Sequence, residues 1–183
     1  MKRVAVLFSG SGTNFEYILK NLHNKSLKVV LAITNNPDAG GIEFAKKYEI
    51  PLKVIDSKAY SSREVFDAKL VKELKKEDLD LVVLAGFMRI LTPVFTNSIK
   101  AVNLHPSLLP RHKGLHAIER SYEDEYSEGG VTVHFVTSQL DGGAVIVQKS
   151  ILKEGLSFKE YFQKIRAVEK EALAEAVLKV LKI

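Results

Sequence analysis

The stretch LDLVVLA, Leu79 to Ala85, is a short apolar run with no polar alternation beyond its first residues. Such a run suits a strand covered on both faces, as in a parallel sheet. The chain on either side keeps the same rhythm. Upstream, RVAVLF (3–8) precedes a helix expected from about Thr13 to His23. KVVLAIT (28–34) precedes a helix near Gly41–Tyr48, and LKVID (52–56) precedes one from Ser61 to about Lys76. Downstream, a short helical turn around Pro93–Ile99 leads into KAVNLH (100–105). Alternating strands and helices predict an α/β fold: a doubly wound, mostly parallel central sheet with right-handed crossovers and a Rossmann-like N-terminal half.

The pattern then changes. Residues 121–130, SYEDEYSEGG, are polar, acidic and end in two glycines, so a loop is expected there. VTVHFVT (131–137) and AVIVQKSIL (144–152) are joined through SQLDGG and predict an antiparallel hairpin late in the chain. A long C-terminal helix follows. Ser157 and Glu160 fit a capping box before it, and Phe162, Ile165, Ala172 and Ala176 mark its buried stripe. Glu169 falls on that same stripe at helical spacing. With no repeat or linker, residues 1–183 are expected to form a single domain.

Composition narrows the function classes. The chain is 46% hydrophobic and 27% charged, enough for an ordinary core. No apolar run approaches the ~18 residues of a membrane span, and MKRVAVLFSGSG reads as a first strand rather than a signal peptide. There is no cysteine, which excludes disulfides, thiolate nucleophiles and cysteine-based zinc sites and points to the cytoplasm. The net charge of +5 comes from lysines and arginines scattered among glutamates. That distribution suits a solvated surface or small anionic ligands and lacks the basic run with aromatics expected of a nucleic-acid binder.

Four segments could carry chemistry. In SGSGTNFE (9–16) a strand ends, two glycines permit a tight turn, and a helix begins, so backbone N–H groups and the helix dipole could hold an anion. No GK[ST] follows, Phe15 replaces the third glycine of a dinucleotide fingerprint, and Asn35–Asn36 stand where an acidic ribose ligand would be. A phosphate fits better than a dinucleotide, and a ligand-free tight turn remains open. In Asn103-Leu104-His105, strand alternation points both polar side chains the same way, at the carboxyl end of a late strand where open α/β sheets bind ligands. Asn supplies a neutral donor for an oxyanion and His a proton near neutral pH, while a satisfied core histidine is the plainer alternative. Asp141 in LDGG reads by itself as a turn residue. His105, His112 and His116 fall within twelve residues and with Asp141 could ligate zinc, but Pro106 and Pro110 break any regular ligand spacing. Glu169 is either a stripe-edge residue or a carboxylate reaching a ligand.

Taken together, SGSGTN, DLVVLAGFMRIL (80–91), NLHPSLLP (103–110) and VTVHFV with LDGGAVIVQ (131–148) resemble the phosphoribosylglycinamide formyltransferases, within the wider 10-formyltetrahydrofolate-dependent formyltransferase superfamily. The resemblance runs over nearly the whole chain. It implies a nucleotide-phosphate-binding half (1–100) and a catalytic and folate-binding half (101–183). Gly12, Thr13, Asn14, Phe15 and Glu16 would bind the phosphate and ribose of glycinamide ribonucleotide, with Glu169 contacting the same nucleotide. Arg63, Met88, Arg89, Ile90, Leu91, Asn103, Thr137, Ser138, Gln139, Leu140 and Asp141 would line the folate pocket. Asn103, His105 and Asp141 would be the catalytic trio, transferring the formyl group directly, without a covalent enzyme intermediate.

The implied partners are therefore small molecules: glycinamide ribonucleotide, and 10-formyltetrahydrofolate as formyl donor. No metal, nucleic acid or membrane is implied, and monomer and homodimer stay equally open. A formyltetrahydrofolate hydrolase usually has an N-terminal regulatory domain, whereas here the first strand starts at residue 3. A methionyl-tRNA formyltransferase needs a C-terminal RNA-binding domain, for which 183 residues leave no room. A non-catalytic nucleotide-binding module would not need the full Asn103/His105/Asp141 set.

Overall fold

A computed structural model describes residues 1–183. In chain order the elements are β1 (Lys2–Phe8), α1 (Thr13–Asn21), β2 (Leu27–Thr34), α2 (Ile42–Lys47), β3 (Leu52–Val54), α3 (Arg63–Leu74), β4 (Leu81–Leu84), α4 (Pro93–Thr96), β5 (Ala101–His105), α5 (Ala117–Glu123), β6 (Glu128–Phe135), β7 (Val145–Leu152) and α6 (Phe158–Leu181). The seven strands form one sheet in the order β3-β2-β1-β4-β5-β6-β7. β1 to β5 pair in parallel, and β5–β6 and β6–β7 pair antiparallel. The expected doubly wound sheet and late hairpin are both present.

Alternation along β1 feeds two cores. Val4, Val6 and Phe8 pack with α1 and α6, while Ala5 and Leu7 pack with Phe66, Leu70 and Leu74 of α3. These five of the seven β1 residues are fully buried, as a central parallel strand requires. α6 starts at a complete capping box: Ser157 accepts from the Glu160 N–H, and Glu160 accepts from the Ser157 N–H. On its buried stripe the structure differs from expectation at one turn. Tyr161 is wholly enclosed and Phe162 only half-buried. The edge strand β3 is tied to α3 by Glu73, which is buried and accepts from Lys53, from Lys69 at 2.8 Å and from Lys76 at 3.0 Å. The Lys53 bond, with those of Lys69 and Lys76, holds the Glu73 carboxyl far below the usual carboxylate range.

The expected loop over 121–130 is not one continuous loop. Its first three residues complete α5, and its last three begin β6. The two glycines are strand residues. A Cβ on Gly129 would overlap the Tyr161 hydroxyl and lie 2.7 Å from Ser121 Oγ. One on Gly130 would overlap the Lys149 carbonyl of β7 and lie 2.7 Å from Leu108. They permit close approach across the sheet face, not a turn.

Strand order reverses direction between β1 and β4, so the crevice outside their carboxyl ends is the place this topology offers a ligand. Ser9 binds the loops around it together. Its N–H donates to Gly86 O (3.0 Å), and its hydroxyl donates to Asn35 Oδ1 (2.5 Å) while accepting from the Met88 N–H (2.7 Å). Asn36 Nδ2 donates to Ser9 O (3.2 Å). The Asn35–Asn36 pair thus serves to fasten these loops to one another.

Candidate active site

The Gly-rich turn after β1 ends in Gly12, the residue preceding α1, with φ +73°. A Cβ there would meet Gly41 Cα at 2.5 Å, so left-handed backbone and close packing both require glycine. No side chain caps α1. The Glu16 N–H is taken by Gly12 O (2.8 Å), which leaves the N–H groups of Thr13, Asn14 and Phe15 without intrahelical partners. An anion there would meet open donors at the positive end of the helix. The Phe15 side chain takes no part in this: it is fully buried and stacks on Phe8 with ring centroids 5.1 Å apart.

Asn14 and Glu169, far apart in sequence, meet here. Asn14 Nδ2 donates to Glu169 Oε2 at 3.3 Å, and Arg166 Nη1 reaches both carboxylate oxygens at 3.0 and 3.3 Å. Glu169 is only 2% exposed, and Asn14 Oδ1 is buried without a partner. A free acceptor beside a buried carboxylate suits ligand hydroxyl or amine donors.

The second part of the site is a cavity that opens to solvent. Arg89, Ile90 and Leu91 line one part of it and Thr137, Ser138, Gln139, Leu140 and Asp141 another, with Leu84, Phe87 and Val136 adding apolar surface. Arg89 lies over the Phe66 ring (4.8 Å) and leaves its buried Nε unpaired. Met88 and Arg63 do not line the cavity: Met88 is 73% exposed, and Arg63 is exposed in the first turn of α3.

Asn103 and Asp141 are on the cavity lining; His105 lies behind it, buried. His105 Nε2 donates to the His112 carbonyl at 2.8 Å, and its Nδ1 is 3.4 Å from Asp141 Oδ2. Both ring nitrogens face oxygen acceptors, so the ring satisfies both as a donor only when doubly protonated. Asp141 has φ +51° and accepts from the Gly114 N–H at 2.9 Å. That bond ties the β6–β7 turn to the loop after β5. Burial works against ionisation of Asp141, but the Gly114 N–H and the neighbouring His105 hold its carboxyl below the usual range.

His134 is the site residue that the sequence reading passed over. It pairs with Asn103 across the β5–β6 ladder, as Thr132 pairs with His105, so the four side chains share one face. The signal was there in VTVHF, where Thr132 and His134 alternate with apolar residues. His134 Nδ1 donates to Phe135 O (2.8 Å), which leaves Nε2 as acceptor for Asn103 Nδ2 at 3.4 Å. Its Nε2 stands 3.7 Å from Asp141 Oδ1, an approach too long for a hydrogen bond. The histidines of the zinc alternative do not converge: the His112 ring turns to Asp124 and His116 is exposed. No group of three or more His, Asp or Glu side chains is placed to hold a metal ion.

Asp124 accepts from His112 Nε2 and Lys153 Nζ, both at 2.6 Å. Burial opposes its ionisation, yet these donors and the Tyr126 N–H hold it below the usual carboxylate range. A depressed folded-state pKa contributes stability that is fully present above the unfolded value of about 4 and is lost as pH falls through the folded value. Asp124→Asn should therefore unfold more easily at pH 7, and its deficit relative to the parent should shrink in urea melts below about pH 4. An equal deficit at pH 7 and pH 3 would contradict this.

Comparison with known proteins gives concordant matches. Residues 2–177 match the family model described as Formyl transferase. The chain is 41% identical over 155 residues to the phosphoribosylglycinamide formyltransferase of Haemophilus influenzae, covering 82% of this chain and 73% of that one. It is 39% identical over 183 residues to the trifunctional purine biosynthetic protein adenosine-3 of Chironomus tentans, spanning 96% of this chain but only 13% of that protein's length. The crystal structure of phosphoribosylglycinamide formyltransferase from Campylobacter jejuni superposes with a TM-score of 0.96 at 50% identity, over 98% of this chain and 97% of that one. No helix of this chain is long and apolar enough to cross a membrane.

Proposed function

The chain belongs to the formyl transferase family, and from that premise we infer that it transfers the formyl group of 10-formyltetrahydrofolate to the amine of 5-phosphoribosylglycinamide. The products are N-formylglycinamide ribonucleotide and tetrahydrofolate, in de novo purine synthesis. The observation that carries this reading is the meeting of Asn103, His134 and Asp141 on the wall of one cavity, with His105 directly behind. Residues 1–100 bring the open N–H groups of α1, and residues 101–183 bring the catalytic side chains and Glu169. A cysteine-free chain suits the cytoplasm.

Each group has a role that its geometry suits. The N–H groups of Thr13, Asn14 and Phe15 receive the nucleotide phosphate, and Asn14 Oδ1 with Glu169 accepts from its hydroxyls. Glu16, whose own N–H is used within the helix, shapes the first turn. The cavity between Arg89–Leu91 and Thr137–Asp141 takes the reduced folate, with Arg63 and Met88 at its periphery. Holding both reactants together supplies rate through proximity and orientation.

In the reaction, the substrate amine forms a bond to the formyl carbon, and the carbonyl oxygen becomes an oxyanion. His134 Nε2 holds one Asn103 Nδ2 proton and leaves the other for that oxyanion. His105 offers its Nδ1 proton from the same side. Asp141 accepts the proton released by the amine, directly or through water, and returns it to folate N10 as the bond from N10 to the formyl carbon breaks. No protein nucleophile is needed.

The test is to mix the protein with both substrates and follow tetrahydrofolate release. Release that depends on the nucleotide, with one formylated nucleotide formed per folate, is the expected result. Equal release without the nucleotide would make the protein a hydrolase. No release in either case would leave a binding module.

A further inference from the structure

We propose that His112, Asp124 and Lys153 form a positioning device for His105, acting through the backbone carbonyl of His112. The carbonyl accepts from His105 Nε2 at 2.8 Å, and because it can only accept, the contact places a proton on Nε2 and aims Nδ1 at Asp141. That carbonyl belongs to a residue at φ +56°, a backbone region that non-glycine residues rarely adopt. Such backbone persists when its surroundings hold it.

The Ser107 hydroxyl, which donates to the Arg111 carbonyl and reaches the His112 carbonyl at 3.4 Å, supports it from one side, and the His112 ring holds it from the other. Its Nε2 lies 2.6 Å from Asp124 Oδ2, and Asp124 Oδ1 lies 2.6 Å from Lys153 Nζ. Lys153 also donates to the Ser121 carbonyl at 2.8 Å and the Asp124 carbonyl at 3.1 Å, at the C-terminal end of α5. Lys153 and Asp124 side chains are 10% and 12% exposed. None of the three lines the cavity. The other charged groups here are engaged elsewhere or face solvent. Arg111 lies over Tyr126 and reaches Glu128 O, Arg120 caps Lys113 O and Leu115 O, and Glu123 and Glu125 are exposed.

Stability alone does not call for such a cluster, since an apolar replacement of similar volume often holds a fold as well as an enclosed ion pair does. Through the His112 backbone, the cluster links β7 and α5 to the orientation of the His105 ring. Burial resists charge on Asp124, but the donors around it keep the carboxyl ionised, which keeps the tether in place.

The turnover arm of the test rests on the formyl-transfer reading; the spectroscopic arm does not. His112→Ala and Asp124→Ala should each lower kcat about 10- to 100-fold while KM for both substrates changes less than about 3-fold. His112→Gln, whose amide nitrogen reaches as far as Nε2, should restore most of the loss. In a His105→Ala background the same changes should cost nothing further, because the tether acts only through that ring. Independently of turnover, nitrogen-15 spectra of the parent should show His105 Nε2 protonated and hydrogen-bonded, and His112→Ala should shift that Nε2 resonance. Equal fractional losses with and without His105, or unchanged His105 nitrogen shifts in a folded variant, would overturn the proposal. If an alanine variant fails to fold, Lys153→Met is read by the same two criteria.

Discussion

Asp141→Asn should reduce turnover by about 100-fold or more while nucleotide binding stays within a few-fold of the parent. The substitution is nearly isosteric, and its carbonyl oxygen can still accept from Gly114 N–H, so the turn that carries it should survive. What it removes is the negative charge 3.4 Å from His105 Nδ1 and, with it, the proposed acceptor for the amine proton. His105→Ala should cost at least as much, since it takes away one oxyanion donor outright. The proposed nucleotide site lies at α1 and Glu169, on elements neither change touches. The discriminating measurement is kcat with both substrates saturating, beside calorimetric binding of the nucleotide alone. Near-normal kcat in both variants would remove His105 and Asp141 from the chemistry. A loss confined to nucleotide affinity would reassign them to binding.

Gly129→Ala should destabilise the fold by about 3–4 kcal/mol, the range expected when an added methyl meets well-packed atoms and a buried hydrogen bond breaks with it. The new Cβ would occupy the place of the Tyr161 hydroxyl, which sits 2.7 Å from Ser121 Oγ in a spot closed to solvent. To make room, Tyr161 must swing away, and α6 carries Glu169 eight residues on. For a chain of this size the melting point should fall by roughly 10 °C. Tyr161→Phe in the same background should recover part of the loss, because it removes the atom in the closest clash, although the ring carbon behind it would still be 2.8 Å away. A Gly129→Ala protein that melts with the parent would show that the strand relaxes at little cost.

These two positions differ in how far they could be seen in advance. The Asn103–His105 pair stood out because two polar side chains at strand spacing interrupt an apolar run, and Asp141 joined them only through family resemblance. Its left-handed backbone and its place in LDGG look the same in an ordinary turn. In the sequence alone Gly129 and Gly130 read as part of a loop, because local glycine pairs usually mark turns. Here they answer to Tyr161 and Lys149, residues that come near only once α6 and β7 pack. His134 was in plain view in VTVHF, but its value depends on the β5–β6 register that sets it opposite Asn103.

By itself the sequence determined the alternation of strands and helices, the doubly wound sheet, the late hairpin, the capped C-terminal helix and the Gly-rich turn open to an anion. These rest on local rules: hydrophobic period, turn chemistry and helix capping act over a few residues. Tertiary structure alone decided that Asn14 meets Glu169, that His134 orients Asn103, that Asp141 faces His105, and that His112 is tethered through Asp124 to Lys153. Each of these contacts is a few ångströms long and joins residues from separate elements. Their geometry is set by strand register and helix packing, and neither is written in any one stretch of chain.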